Sequence, residues 1–312
     1  VIGDLIIDEY IDCNTLGISQ EEPTVVVSPS EKRRFLGGSG IVSAHAAGLG
    51  AKVSYLTIAG NDEEMKFAKK KLSSFGVNAE LFLDESRPTT LKQRYLTNAR
   101  SLLKVSHLRQ HTISVSIQKK ILKKVKSILP KTDLIIFSDF NYGCLPQSLV
   151  DKIIEIAAKE KVLMVADSQS SSQTGNIARF KGMDLILPTE REARISLRNN
   201  EDGLIVISDL LANETHSRYI ILKLGADGIL IEDTIAKKPK KNDKWYTDRL
   251  QSFNSNPVDV AGAGDSLLVG SALTLAVKGN IWESSLIGSI MSSIQVSRIG
   301  NIPIKTKDLI VE

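Results

Sequence analysis

The sequence predicts an α/β fold: a central, mainly parallel sheet with helices packed on it, and a small second β-sheet placed as a lid. Three observations point there. Short apolar runs alternate with longer amphipathic stretches, the pattern of parallel strands joined by crossover helices. Polar residues gather where those runs end. Two segments, residues 9–35 and 79–108, are instead rich in β-prone residues alternating with polar ones, and read as inserted lid strands. With no linker, internal repeat or low-complexity tract to divide it, residues 1–312 read as one domain carrying these insertions.

In chain order, residues 53–57 read as a strand and 62–75 as the following helix, with Met65, Phe67, Ala68 and Leu72 on one side. Residues 134–137 form a buried strand ending at Ser138 and Asp139, and a helix starts after Pro146. Residues 162–165 repeat the theme and end at Ala166 and Asp167, while 185–187 end at Pro188 and Thr189 before a helical stretch carrying Glu192. In open α/β sheets the ligand crevice lies outside the carboxyl ends of the strands. Asp139, Asp167 and Glu192 should therefore share one region, although any one of them alone is also ordinary loop polarity.

Composition is that of a folded globular chain, 42% hydrophobic and 24% charged. The 40 basic and 36 acidic residues leave a formal charge of +4, too small to imply nucleic acid. The densest basic run, Lys237-Lys238-Pro239-Lys240-Lys241, has no interleaved aromatics and reads as a solvated loop. Cys13 and Cys144 stand far apart without metal-ligand spacing, so neither a disulfide framework nor a zinc site is indicated. No apolar stretch reaches the roughly 18 residues of a membrane span, and a reducing, cytoplasmic setting with no membrane partner is expected. The chain starts at Val1, already inside a strand-like run, which suggests a piece of a longer protein.

The most informative stretch runs from Asn256 through Pro257, Asp259, Gly262, Ala263, Gly264 and Asp265 into an apolar helix at 267–277. Glycines let consecutive backbone N–H groups converge on an anion, and the following helix adds roughly half a positive charge at its N-terminus. That makes a phosphate cradle. Asp265, at the start of the helix, points toward the cradled group and suits a base that takes the proton of an attacking hydroxyl. An isolated GxGD could equally be a capped turn; Asp259 and Pro257 ahead of it favour the cradle.

Phe35-Leu36-Gly37-Gly38-Ser39-Gly40 precedes a small-residue helix at 41–49, where glycines permit close approach of a ligand or a lid, or simply tight helix packing. No Lys followed by a hydroxyl residue completes a P-loop. Asp4 and Asp8, at the end of the first strand, suit paired acceptors for sugar hydroxyls or plain turn positions. Lys92 and Arg94 fall on one strand face, because side chains two apart point the same way. They suit an anionic substrate such as a sugar phosphate, or else a solvated face.

These residues resemble the ribokinase-like (PfkB) carbohydrate kinases over nearly the whole chain. Asp259 to Asp265 is similar to that family's DTxGAGD run, which implies Asp265 as catalytic base and Gly262, Ala263 and Gly264 as the anion hole. Gly37 and Gly38 match its N-terminal glycine pair, and Leu224-Gly225-Ala226-Asp227-Gly228 resembles its strand-turn near the nucleotide. Within the family, Val1-Ile2-Gly3-Asp4, Ile18-Ser19-Gln20-Glu21-Glu22-Pro23 and Arg87-Pro88-Thr89-Thr90-Leu91-Lys92 most resemble the kinase domain of the bifunctional heptose enzyme of lipopolysaccharide synthesis. That domain phosphorylates heptose 7-phosphate at its anomeric hydroxyl. No cytidylyltransferase-like segment lies within these residues.

The resemblance implies a ribokinase-like three-layer α/β sandwich and an ATP- and Mg²⁺-dependent sugar kinase. Lys223, Gly225, Asp227, Gly228 and Asp259 fall to the nucleotide side. Asp4, Asp8, Gly37, Gly38, Lys92, Arg94 and Asp139 fall to the acceptor, and Glu192 to magnesium through water. Ile41, Tyr142, Gln169 and Thr189 stand where the family pattern has Asn, Lys, Lys and Asn, so an altered acceptor is expected. The rivals are a catalytically silent sugar- or nucleotide-binding relative and a kinase for another acceptor. An exposed lid edge favours pairing of two lids in a homodimer.

Overall fold

The computed structural model describes residues 1–98, 100–170, 175–234 and 246–310. The basic run at Lys237 to Lys241 lies outside the described residues. The chain runs through β1 (Ile2–Gly3), β2 (Leu5–Ile18), β3 (Val25–Gly38), α1 (Ser39–Gly48), β4 (Ser54–Ala59), α2 (Glu63–Ser74), β5 (Asn78–Leu83), β6 (Thr90–Thr97) and β7 (Arg100–His107). It continues with α3 (Val115–Ile128), β8 (Leu134–Asp139), α4 (Gln147–Lys159), β9 (Leu163–Ser168), β10 (Leu185–Ile186), α5 (Glu190–Leu197), α6 (Leu204–Thr215) and β11 (Tyr219–Lys223). The last elements are β12 (Ile229–Asp233), β13 (Thr247–Leu250), α7 (Ala263–Ala276), α8 (Ile281–Val296) and α9 (Thr306–Ile310).

Among the described residues, nine strands form one sheet in the order β13-β12-β11-β10-β9-β8-β1-β4-β5. From β5 to β11 neighbours pair in parallel, and only the β11–β12 and β12–β13 pairs are antiparallel. Strand residues alternate between two cores because successive side chains leave a strand on opposite faces. Ile135 and Phe137 of β8 join α3 and α4 in one core, together with Leu211 of α6. Ile136 points the other way, into a core with Val42 of α1, Leu268 of α7 and Met291 of α8. Helix, sheet and helix thus make the three layers.

Local signals explain the elements. Asp62 caps α2 by accepting from Met65 N at 2.9 Å, and Ala68 and Leu72, one turn apart, are its buried residues. α7 buries residues around most of its circumference and packs on both α1 and α8, as an apolar all-round helix must. Its contact with α8 is close: a Cβ at Gly270 would stand 2.8 Å from the Gly288 Cα.

The lid is a four-stranded sheet, β3-β2-β6-β7. Its boundaries differ from those expected. Residues 78–83 pair in parallel with β4 and belong to the large sheet, not to the lid. As an edge strand β5 is half-exposed, so its polar alternation imitates a lid strand. At the other end the lid begins already at Leu5, whose half of β2 is buried, so that it reads like core.

β1 sits between β4 and β8, and a Cβ at Gly3 would collide with the Ser138 carbonyl oxygen. Gly3→Ala should therefore cost about 1–3 kcal/mol of stability, as overpacking in a close-packed interior does. A lowered urea midpoint with an unchanged slope is the expected result.

Candidate active site

All the strand ends expected to carry polar groups open on the same side of the large sheet, beneath the lid. The cleft there has a volume of about 750 Å³ and is lined by both sheets and by the turn ahead of α7. Ile6 and Asp8 of β2 and Lys92 and Arg94 of β6 face it from the lid. The register pairs Asp8 with Lys92 and Tyr10 with Arg94, which puts alternate residues of both strands on the cleft side. Gly38, Gly225, Gly228, Thr189, Glu192, Lys223 and Gly262 to Asp265 line the remainder.

Asp265 lies in the first turn of α7 but does not cap it; the N-cap is Gly262, at φ 76°, where a side chain would be strained. Its carboxyl accepts from Gln169 Nε2 at 3.0 Å and is only 6% exposed. Burial, and then the neighbouring Asp167, push its pKa up to about 7 against the pull of Lys223. A carboxyl poised there exchanges protons at neutral pH.

Lys223, at the end of β11, holds both oxygens of Asp167 at 2.9 and 2.8 Å. Its Nζ also stands 3.4 Å from where a Cβ of Gly264 would be, so the ammonium lies against the glycine turn. Burial pushes Asp167 up to about 6 despite this partner, with Glu192 adding to the rise. Burial alone would pull Lys223 down, but Asp167 and Glu192 outweigh it and leave its pKa above the ordinary value. The pattern is that of a buried pocket with more carboxyl groups than cations.

Glu192 is doubly engaged. One oxygen accepts from Thr189 N at 2.7 Å, closing a capping box on α5, and the other accepts from Ser170 N at 2.8 Å. Among the described residues, no group of three His, Cys, Asp or Glu side chains is placed to hold a metal directly. Glu192 still lines the cleft, and the excess of carboxylates there suits a cation reached through water.

On the lid side of the cleft, Asp8 is buried, and burial raises its pKa while Arg94 and Lys92 lower it. Arg94 stands 3.7 Å from Asp8. Lys92 Nζ sits 5.6 Å from the Phe140 ring and 5.1 Å from the Tyr142 ring. Tyr142 thus meets a lysine from the lid at the place where the family pattern carries its own. Gly37 does not line the cleft, but a Cβ there would collide with Asp8 Oδ2; its bareness makes room for that carboxylate.

Several expected contacts lie elsewhere. Asp4 does not face the cleft: its carboxylate accepts from the backbone of Phe140 at 2.8 Å, Cys144 at 3.2 Å and Tyr142 at 3.4 Å, and so builds the loop after β8. Asp139 is likewise spent, on Arg179 and Ser168 at 2.8 Å each. Asp227, within the Gly225–Gly228 turn, points out to solvent, 3.4 Å from Arg249. Asp259 lies beneath the glycine turn rather than in the cleft, accepting from Ala261 N at 3.0 Å. Ile41 is fully buried in the apolar core and does not line the cleft. Cys13 and Cys144 are both buried and free, and no described helix is long and apolar enough to cross a membrane.

Two cleft residues carry no sign in the sequence of the contacts they make. Asn301 donates to Asp8 Oδ2 at 3.1 Å, across 293 residues. Gln169 carried only its departure from a family pattern, and its contact with Asp265 spans 96 residues.

Comparison with known proteins agrees with this fold. Residues 1–307 match the family described as pfkB family carbohydrate kinase. The bifunctional protein HldE of Helicobacter hepaticus is 28% identical over 307 residues, covering 96% of this chain, and that of Campylobacter curvus is 27% identical over 306. The chain spans 60% and 62% of the length of these relatives. Among solved structures, phosphofructokinase-2 from Escherichia coli in complex with substrates and products superposes with a TM-score of 0.79 at 14% identity, covering 98% of this chain and 95% of that one. Arabidopsis thaliana ribokinase complexed with ribose and ATP gives 0.74 at 16%, over 99% and 96%. At those identities the likeness is one of fold, and the family match covers nearly every residue. The chain belongs to the pfkB family of carbohydrate kinases, phosphotransferases that act on a sugar hydroxyl.

Proposed function

We propose that this chain transfers the γ-phosphoryl group of ATP to a hydroxyl of a sugar phosphate, with D-glycero-D-manno-heptose 7-phosphate the first acceptor to test. The observation that carries this is Asp265: a buried carboxyl with a pKa near neutrality, one residue beyond a glycine turn at a helix N-terminus. The same cleft presents Asp8, Lys92 and Arg94 from the lid. Asp8 would accept from the acceptor's hydroxyls, and Lys92 and Arg94 would hold its phosphate. Asp265 would take the proton of the attacking hydroxyl, and the backbone N–H groups of Gly262 to Asp265 would face the charge that builds on the transferred group.

ATP would lie against Lys223, Gly225 and Gly228. Magnesium, when bound with it, supplies positive charge to the phosphate oxygens, and Glu192 would reach it through water. Closing the lid over the cleft excludes water, which would otherwise take the phosphoryl group. The outer half of the lid carries exposed Leu16, Ile18 and Val25, at 68%, 72% and 58%. A second copy covering them would make a homodimer. A cytoplasmic location fits the ATP requirement.

ATP-dependent ADP formation with magnesium, measured across sugars, sugar phosphates including heptose 7-phosphate, and nucleosides, tests the reading. Turnover should be confined to an acceptor bearing an anionic group, and should fall by about a hundredfold or more with Asp265→Asn. Calorimetric binding of ATP with no turnover on any acceptor would instead make the chain a silent binding relative.

A further inference from the structure

The lid is joined to the phosphate turn by side chains of a single strand. Tyr10 of β2 donates its phenolic O–H to Asp259 Oδ2 at 2.6 Å, across 249 residues. Asp259 is the residue that fixes the turn: its Oδ1 accepts from Ala261 N at 3.0 Å and its Oδ2 from Gly300 N at 3.0 Å. Two residues earlier on the same face of β2, Asp8 accepts from Asn301 Nδ2 at 3.1 Å, and Asn301 in turn occupies the space where a Cβ of Gly262 would be. Phe35 of β3, paired in register with Asp8, lies edge-on to Tyr10 at 5.3 Å and fills the space over Gly300, where no Cβ would fit.

The other face of Tyr10 meets the acceptor side. Arg94, its register partner on β6, stands 5.3 Å from the Tyr10 ring and 3.7 Å from Asp8. Arg94, which lines the cleft, therefore lies against the residue whose hydroxyl holds Asp259.

We infer that Tyr10 is a positioning residue, which through Asp259 makes the conformation of the Gly262–Asp265 turn depend on how the lid is seated over the acceptor. Resting on the kinase reading, this gives the enzyme a reason not to transfer phosphate to water: the turn is fully ordered only when the lid is latched. Tyr10 does not touch the reacting atoms, and its effect reaches them through Asp259 and Ala261. The tether is one charge-assisted hydrogen bond supported by aromatic packing, so it can be weakened without removing the ring.

The test is Tyr10→Phe, with Phe35→Leu as a second variant that loosens the same latch by packing and leaves the hydroxyl in place. Amide hydrogen exchange in the full chain, without ligands, should be about tenfold faster over residues 258–266 in Tyr10→Phe, as expected for local opening after loss of a charge-assisted bond. Residues 115–128, on the far side of the large sheet, should not change. Unchanged exchange over 258–266 in both variants overturns the inference, as does acceleration that includes 115–128, since Tyr10 would then be only a structural prop. With an acceptor that supports turnover, kcat should fall about tenfold with the KM for ATP little altered. Failure of every acceptor to support turnover would sink the kinase reading while leaving the exchange result to decide the latch.

Discussion

Replacing Asp265 with Asn should lower kcat by about a hundred- to ten-thousandfold, the usual contribution of a positioned base. The change is nearly isosteric. An amide oxygen at that position can still accept from Gln169 Nε2, which now stands 3.0 Å from Asp265 Oδ1, so ATP and acceptor affinities should move little. What is lost is a group that can take a proton. In the unaltered chain kcat/KM should rise with pH up to about 7, where Asp265 becomes a carboxylate, and then level off. The variant's residual activity should show no such limb. A limb retained in the variant would assign the titration, and the base, to another group.

The same substitution should stabilise the fold. A carboxyl whose pKa rises from about 4 in the unfolded chain to about 7 in the folded one binds protons more tightly when folded. Stability is therefore lost as pH rises between those values, because the folded state must give up a proton it prefers to keep. Below about pH 4 both states are protonated and Asp265→Asn should be neutral. Above about pH 7 it should gain on the order of 2–4 kcal/mol, visible as a higher thermal midpoint at pH 8 than the unaltered chain. A variant that loses activity and stability together would mean that Asp265 holds the turn, not the proton.

How much of this could be read beforehand depended on how far apart the interacting residues lie. The strands after residue 130 were legible because each apolar run ends in polar residues, and the sheet gathers those ends by its own parallel topology. Asp265 was legible because its glycines and its helix are contiguous with it. The lid limits were not, since burial divides β2 in the middle: Leu5 to Ile11 is buried while Asn14 to Ile18 is exposed. Asp4 looked like a ligand for hydroxyls. Its real partners are backbone amides 136 to 140 residues away, which carry no mark in a sequence. Asn301 and Tyr10 escaped notice for the same reason, their partners lying 293 and 249 residues distant.

Lys223→Met should be the most damaging single change to stability, at about 3–5 kcal/mol, because it leaves Asp167 buried without its cation. Both oxygens of Asp167 depend on that ammonium, at 2.9 and 2.8 Å, and the pair is 11% and 1% exposed. With Lys223 present Asp167 already titrates at about 6, and removing the lysine lets burial and Glu192 raise that value further. Asp167 in the variant should then be protonated at pH 5, so most of the loss should be relieved there and reach its full size at pH 8. For Lys223 itself the sign is the opposite of the usual buried amine. Its raised pKa means that its contribution is complete at neutral pH and fades only in the alkaline range. Adding Asp167→Asn to Lys223→Met should recover most of the stability, because the uncompensated charge is gone, and the double-mutant cycle measures the pair's coupling directly. Denaturant midpoints at pH 5 and pH 8 for the four proteins are enough. If the double variant is no more stable than Lys223→Met, the lysine acts through its packing against Gly264 rather than its charge. The glycine turn would then rest on shape at this point, and not on the balance of buried charge.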